Sequence, residues 1–133
     1  MVPFRLTFQS GVPVHEQVVF AAKKAIISGK LRPGEAFPSV RALSKAVKIH
    51  ANTAQKVIAQ LQQEGLLDVR PGIGTVVAQP LPSARVERNR LLARDVEQLT
   101  VEAIKLGVSL DELQELLAVQ WRKLQPEKVQ EKS

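Results

Sequence analysis

Four polar side chains lie together on the outer face of a predicted helix, and their types suit hydrogen bonding to a nucleic acid. They are Asn52, Thr53, Gln55 and Lys56. They alternate with an apolar stripe that faces a core and consists of Ala54, Val57, Ile58 and Leu61. Short polar groups near the start of a helix can contact base edges and phosphates in a major groove. Asn52 and Thr53 could instead cap the helix, and one of them could do both.

Three further side chains lie near predicted helix starts, where free backbone N–H groups favour an anion. Ser39 follows Pro38 and is the predicted N-cap of a short helix, and Arg41 lies in the first turn of that helix. The guanidinium of Arg41 could bind a phosphate or a guanine edge, or it could remain a solvated surface group. His50, in the turn before the next helix, could contact a phosphate. Neither His50 nor His15 has neighbours in the sequence that suggest a metal site or a general base.

Arg70, Gly72 and Gly74 flank or lie within a predicted hairpin loop, Pro71–Gly74. The glycines supply the positive φ that such a loop needs. Arg70 and the loop could reach a minor groove or the phosphate backbone, although a plain hairpin turn would have the same residues. The Gly-x-Gly pattern is not a phosphate-binding P-loop, which needs a Lys-Ser/Thr pair and a following helix.

These residues need a scaffold, and the apolar periodicity predicts a winged helix-turn-helix. Two short helices joined by a turn of three or four residues are typical of the helix-turn-helix, and a strand pair after them is a wing. A short edge strand is also predicted over 4–8, from its alternating apolar residues. The other predicted elements are helices over about 14–28, 40–48 and 50–65, a turn over 31–35, and strands over 66–70 and 75–78.

Beyond Pro80–Ser83, where two prolines disfavour helix, the pattern changes to a helical hairpin. Gly107 ends its first helix, and Ser109 with Glu112 forms a capping box for the second. Two helices cannot bury both apolar stripes alone, so self-association is expected. Trp121 could instead stack on a ligand between subunits, which is the less favoured interpretation. The predicted dimer interface consists of Leu92, Val96, Leu99, Ala103, Leu106, Leu113, Leu117 and Trp121.

The net charge of +6 is unevenly distributed along the chain. Residues 1–79 hold ten Lys and Arg against four Asp and Glu, whereas residues 80–133 hold nine of each sign. This distribution predicts a polyanion partner for the first part only. The chain has no cysteine, so it has no disulfide, thiol nucleophile or cysteine-based zinc site. We predict no catalytic residue, metal or cofactor, no membrane segment or signal peptide, and a cytoplasmic protein that is not an enzyme.

The segment Leu31–Leu43 closely resembles the opening signature of the GntR family of bacterial transcription regulators, and the resemblance continues through Pro71–Val77. It covers roughly residues 11–78, and the short tail with Ala103–Ser109 resembles the YtrA-like subfamily. The resemblance implies DNA binding, dimerisation through the tail, and repression of transporter operons, which the genes of such regulators often accompany. Many family members carry Arg where this chain has Gln55. Arg reads guanine and Gln reads adenine, so the base preference at Gln55 is open.

The predicted fold is mainly α with a small β wing. A winged helix-turn-helix DNA-binding domain covers 1–79, a two-helix dimerisation hairpin covers 83–125, and a polar tail covers 126–133. Together with the resemblance, this predicted fold indicates a homodimeric regulator that binds a pseudo-palindromic operator of double-stranded DNA. We interpret the regulator as a repressor. A winged-helix module that binds an acidic protein or RNA is the alternative. The sequence does not identify a small-molecule effector and has no obvious effector pocket, so any such ligand would bind in the winged domain or across the dimer.

Overall fold

The structure, a computed structural model, describes Phe4, residues 6–79 and residues 85–126 of the chain. Its described residues divide into two compact units, which are Phe4 with residues 6–79 and 124–126, and residues 85–123. The order of elements in the first unit is that of a winged helix-turn-helix. Its elements are α1 Val14–Ile27, α2 Val40–Val47, α3 Ala51–Gln63, β1 Leu67–Arg70 and β2 Gly74–Val77.

The core of this winged unit forms where α1, α2 and α3 meet the strands. The predicted helices are confirmed, and their apolar stripes are the buried faces. Leu43 from α2, Leu61 from α3 and Leu67 from β1 are among the largest fully buried side chains. Burying each one contributes about 1.5–3 kcal/mol. The remaining fully buried large side chains are Val18, Val57 and Val77.

The strands form an antiparallel pair, as predicted, with Leu67 opposite Val77 and Arg70 opposite Gly74. The segment before α2 adds to this pair, because Phe37 N–H donates to the Thr75 carbonyl at 2.9 Å and Val77 N–H donates to the Glu35 carbonyl at 2.8 Å. The turn predicted over 31–35 is present, with Glu35 N–H bonded to the Arg32 carbonyl. The hydrogen bonds that continue from this turn along β2 were not predicted from the sequence. This ladder fixes the start of α2 beside the wing.

The edge strand predicted over 4–8 is wrong at the residues that the structure describes, because residues 6–9 form no strand. The backbone of this segment is hydrogen-bonded to a side chain of α1 and not to a neighbouring strand. The Gln17 amide accepts a bond from Gln9 N–H and donates to the Gln9 carbonyl, both at 2.9 Å. It also donates to the Val12 carbonyl at 2.8 Å. Gln17 therefore bonds the segment to α1, and Leu6 packs against the hydrophobic core.

The second unit contains the predicted helices, but its two arms make few contacts with each other, so they do not form a closely packed hairpin. Its first arm is α4 Arg85–Asn89, a π-helical turn Arg90–Asp95 and α5 Val96–Lys105, and its second arm is α6 Leu110–Leu124. Gly107, with φ of +77°, follows α5 as predicted. Ser109 Oγ accepts a bond from Glu112 N–H at 3.1 Å, which confirms the predicted cap of α6. The π-helical turn was not predicted. The linker Pro80–Ser83 and most of the polar tail lie outside the described residues.

The apolar seam of this second unit is largely uncovered within the chain. Ala103 is 8% exposed, and it is the one buried residue among residues 85–126. In contrast, Leu99 is 48%, Leu106 71% and Trp121 67% exposed. Large apolar side chains at such exposure cost hydration free energy, so they are typical of an interaction surface.

Candidate nucleic-acid interface

The first part of the candidate surface is the N-terminal turn of α2. Ser39 caps the helix as predicted, because its Oγ accepts a bond from Ala42 N–H at 3.1 Å. The Ser39 hydroxyl proton is not used by that bond, so it can be donated outward. Arg41 lies in the first turn after the cap and is exposed. The turn therefore presents a guanidinium, a hydroxyl and free backbone N–H groups together, a combination that suits a phosphate.

The cap of α3 corrects one sequence-based interpretation. His50, and not Asn52 or Thr53, is the N-cap, because its Nδ1 accepts a bond from Asn52 N–H at 3.0 Å. Asn, Asp and Ser are the commoner caps, so the sequence favoured Asn52. With His50 in this role, the amide of Asn52 is not needed to cap the helix. Asn52, Gln55 and Lys56 are exposed, and Thr53 is half-buried.

The turn between α2 and α3 is closed by two reciprocal bonds. Ser44 Oγ donates to the Ile49 carbonyl at 2.6 Å, and Ile49 N–H donates to the Ser44 carbonyl at 3.1 Å. Within the turn, Lys48 adopts the left-handed conformation with φ of +58°, and among the described residues it alone does so without being glycine. This conformation costs a residue with a side chain about 1–2 kcal/mol. The turn thus fixes the angle at which α3 leaves α2.

The wing tip carries Arg70, Gly72 and Gly74, all of them exposed. The loop closes through a bond from Ile73 N–H to the Arg70 carbonyl at 3.0 Å. Gly72 and Gly74 have φ of +78° and +110°, as the predicted loop requires. The Ile73 side chain at the tip is 71% exposed. An apolar side chain at such a tip can pack against sugars or base steps in a minor groove.

Sequence reasoning missed Ile73, Lys45 and Lys48 as candidates. Lys45 and Lys48 are exposed and lie at the end of α2 and in the following turn. Two of the three have a signal that could have identified them. Lys45 lies four residues after Arg41, which places both on one helix face. Ile73 is the single apolar residue in a loop of proline and glycines.

An ion pair fixes the far end of α3 against α1. Lys23 Nζ lies 2.7 Å from Glu64 Oε1, and the Gln60 amide donates to Glu64 Oε2 at 3.0 Å. Burial raises the pKa of the Glu64 carboxyl, but the bonds from Lys23 and Gln60 and the charge of Lys23 lower it by more. Its pKa therefore lies below its ordinary value. This pair positions α3 from the end opposite to His50.

The winged unit also has an open groove of about 570 Å³, lined by Lys30, Glu35 and Phe37 among others. The sequence did not predict this groove. No cluster of three or more His, Cys, Asp or Glu side chains suited to a metal ion occurs in the part of the chain that the structure describes. Within that same part, no helix has the length and apolar character needed to cross a membrane.

Solved structures share this fold. A structure described as a transcriptional antiterminator from Listeria monocytogenes EGD-e superposes with a TM-score of 0.82, at 22% identity over 96% of each chain. The DNA-binding domain of AraR, solved in complex with operator ORX1, superposes with a TM-score of 0.51 at 28% identity. It covers 59% of this chain and 100% of that domain. These likenesses confirm the predicted winged-helix fold class.

Sequence comparison identifies the family. The HTH-type transcriptional repressor YtrA of Bacillus subtilis is 30% identical over 108 residues, which are 80% of this chain and 83% of that protein. The family model described as bacterial regulatory proteins, gntR family, matches residues 15–77. Both findings confirm the resemblance to YtrA-like regulators, and the regulatory family confirms that the chain is not an enzyme. The chain therefore belongs to the GntR family of bacterial regulatory proteins.

Proposed function

We propose that this GntR-family regulator is a homodimeric repressor that binds a pseudo-palindromic operator through its winged unit. The observation that carries the proposal is the exposed polar face of α3, formed by Asn52, Gln55 and Lys56. Arg41 at the start of α2 and Arg70 at the wing tip flank that face along the chain. In this arrangement α3 enters the major groove, α2 contacts phosphates and the wing reaches the neighbouring backbone.

The residues proposed to contact DNA are those predicted from the sequence, with three additions. Lys45, Lys48 and Ile73 join the set because they are exposed and lie on the same elements or in the turn between them. The side chains with positive charge supply affinity that does not depend on sequence, and Asn52 and Gln55 supply base discrimination. The predicted set is Ser39, Arg41, His50, Asn52, Thr53, Gln55, Lys56, Arg70, Gly72 and Gly74.

Dimerisation through the second unit supports two-fold symmetric binding. The seam around Leu99, Leu106 and Trp121 is exposed within the chain, and a second copy can cover it with the same seam. A two-fold dimer places two α3 helices in major grooves on one face of the duplex, about one helical turn or a multiple apart. The relative from Bacillus subtilis is named a repressor, and the AraR domain was solved with an operator. Both names are consistent with this proposal.

The test is a fluorescence anisotropy titration of the full chain with a duplex taken from upstream of its own gene. We expect the affinity to fall steeply with salt, by a factor of about 10³ or more between 50 and 200 mM if six or more phosphates are neutralised. Arg41→Gln and Lys56→Gln should each weaken binding while the circular dichroism spectrum stays unchanged. Affinity that is flat with salt, or unchanged in both variants, would contradict the proposal and favour a module for an acidic protein or RNA.

A further inference from the structure

The second unit begins with a cluster of arginines outside the proposed recognition surface. Residues 85–94 hold four arginines against the single acidic residue Glu87, whereas residues 95–133 hold five Lys and Arg against eight Asp and Glu. The zero net charge of residues 80–133 is thus the average of a basic start and an acidic remainder. The arginines are Arg85, Arg88, Arg90 and Arg94.

These arginines are exposed and are not neutralised within the described part of the chain. All four belong to α4 or the π-helical turn, and all four are exposed. The ion pairs among the described residues are Lys23–Glu64 and Lys105–Glu102, so neither includes an arginine. Four like charges within ten residues repel one another, and Glu87 and Asp95 in the same two elements offset only part of that charge. Charge complementarity therefore favours a phosphate backbone as the partner of this segment.

The helix geometry of the segment is a second observation. Arg90 and Arg94 lie in a π-helical turn, Arg90–Asp95, between two α-helical stretches. π-Helical turns are rare, and they occur frequently at functional sites. The turn changes the faces on which the arginines before and after it lie. An ordinary solvated helix start has no need of this geometry.

Chain connectivity limits how far the arginines can lie from the winged unit. Gln79 lies two residues beyond the end of β2, and Arg85 is six residues further along, so their Cα atoms are at most about 22 Å apart. The helix from Arg85 to Arg94 adds roughly 14 Å. This limit holds for any placement of the two units.

We infer that Arg85, Arg88, Arg90 and Arg94 bind the phosphate backbone of the duplex that the winged unit holds, outside the base pairs read by α3. The inference depends on the proposed DNA binding. Guanidinium groups form charge-assisted bonds to phosphate oxygens, and such bonds do not depend on sequence. The segment therefore adds affinity and salt dependence without adding base discrimination.

The test compares two double variants of the full chain on the duplex from upstream of its own gene, extended to about 40 base pairs so that it includes flanking phosphates. Arg88→Gln with Arg90→Gln removes two charges from the cluster. Arg122→Gln with Lys123→Gln removes two charges from the end of α6 and is the control. We expect the slope of log affinity against log salt to fall by about 0.9 for each phosphate that is no longer neutralised, and affinity to fall at least roughly tenfold. The control should keep the parent slope.

An unchanged slope in the cluster variant, with its circular dichroism spectrum intact, would overturn the inference. Sedimentation velocity identifies the rival partner, because arginines that pair with the acidic α6 of a second copy would shift the monomer–dimer equilibrium instead of the slope. A parent chain that fails to bind DNA contradicts the proposed function. If the parent binds DNA and the cluster variant binds it with the same affinity and the same salt slope, only this inference is contradicted.

Discussion

The Nδ1 atom of His50 accepts a hydrogen bond from the backbone N–H of Asn52 at 3.0 Å. A ring nitrogen that accepts a hydrogen bond carries no proton, so the neutral imidazole has its N–H on Nε2. One side chain therefore caps α3 through one ring nitrogen and offers a donor through the other. The two roles can be separated by substitution.

His50→Asn should keep the cap but hold its amide N–H donor closer to the backbone than Nε2 of His50, out of reach of the phosphate, whereas His50→Ala should lose both the cap and the donor. We expect His50→Ala to lower the free energy of unfolding by about 1 kcal/mol and His50→Asn to change it by only roughly a few tenths. Both variants should bind the duplex roughly five-fold more weakly, because a hydrogen bond to phosphate is lost. Urea unfolding and anisotropy titrations measure the two effects. Parent-like DNA affinity in both variants would remove His50 from the interface.

A second pair of variants tests Lys48, whose backbone has the left-handed conformation. Lys48→Gly relieves the strain at φ of +58° and should raise the free energy of unfolding by about 1 kcal/mol. Lys48→Gln retains the strain and removes only the charge. Both variants should lose the same DNA affinity if the ammonium binds a phosphate, with a salt slope lower by about 0.9 per protomer. Unequal losses of affinity would show that turn geometry, and not charge, matters at this position.

Gln55 is the candidate for base discrimination in α3. Gln pairs with the N6 and N7 edge of adenine, whereas Arg pairs with the O6 and N7 edge of guanine. Gln55→Arg should therefore move the preference at one operator position from adenine toward guanine by about 1–3 kcal/mol. Selection from a randomised duplex library measures this change. A uniform gain in affinity without a change in preference would show that the side chain meets phosphate only.

The exposed seam of the second unit predicts which substitutions prevent the chain from forming a dimer. Leu99, at 48% exposure, lies on the predicted seam, and Val101, at 57%, lies two residues away on the opposite helix face. Leu99→Glu should yield monomers in sedimentation velocity, because a buried unpaired carboxylate costs several kcal/mol. Val101→Glu should leave the dimer intact. Dimers in both variants would place the interface elsewhere.

The Lys23–Glu64 ion pair gives a pH-dependent contribution to stability. The pKa of the Glu64 carboxyl lies below its ordinary value of 4.5, so the folded state favours the charged form. The contribution is therefore fully present above that ordinary value and is lost as the pH falls through the lower pKa of the folded state. Since the pair is partly exposed, we expect less than about 1 kcal/mol.

Unfolding of the parent and of Glu64→Gln across acidic pH measures this contribution. The free energies of unfolding of the two proteins should differ by a constant amount near neutral pH and should converge at the acid end of the range. A difference that persists unchanged below the ordinary pKa would contradict the pair's role. Lys23→Gln provides the control, because it removes the same pair from the other side and should change stability in the same direction.

Elements whose signal lies in side-chain periodicity could be predicted from the sequence. The apolar spacing predicted α1, α2 and α3, and glycines near 72 and 107 predicted the wing loop and the end of α5. The ladder from Glu35 and Phe37 to β2 could not be predicted, because its bonds are between backbone groups that nearly every residue carries.

The candidate site shows the same division. The outward face of Asn52, Gln55 and Lys56 follows from periodicity, and the structure leaves all three exposed. The cap at His50 was missed because propensity favours Asn as a cap, whereas the chain path fixed by Ser44 and Ile49 places the imidazole there. The periodicity of the sequence therefore predicts which face of α3 is exposed, whereas hydrogen bonds outside the helix determine which residue caps it.

A symmetric dimer should place two α3 helices on one face of a duplex. Hydroxyl-radical footprinting of the full chain on the region upstream of its own gene measures this placement. We expect two protected patches, about 10 base pairs or a multiple apart, in sequences related by two-fold symmetry. A single protected patch, uniform protection along the fragment, or no protection at concentrations that saturate the anisotropy titration would contradict it.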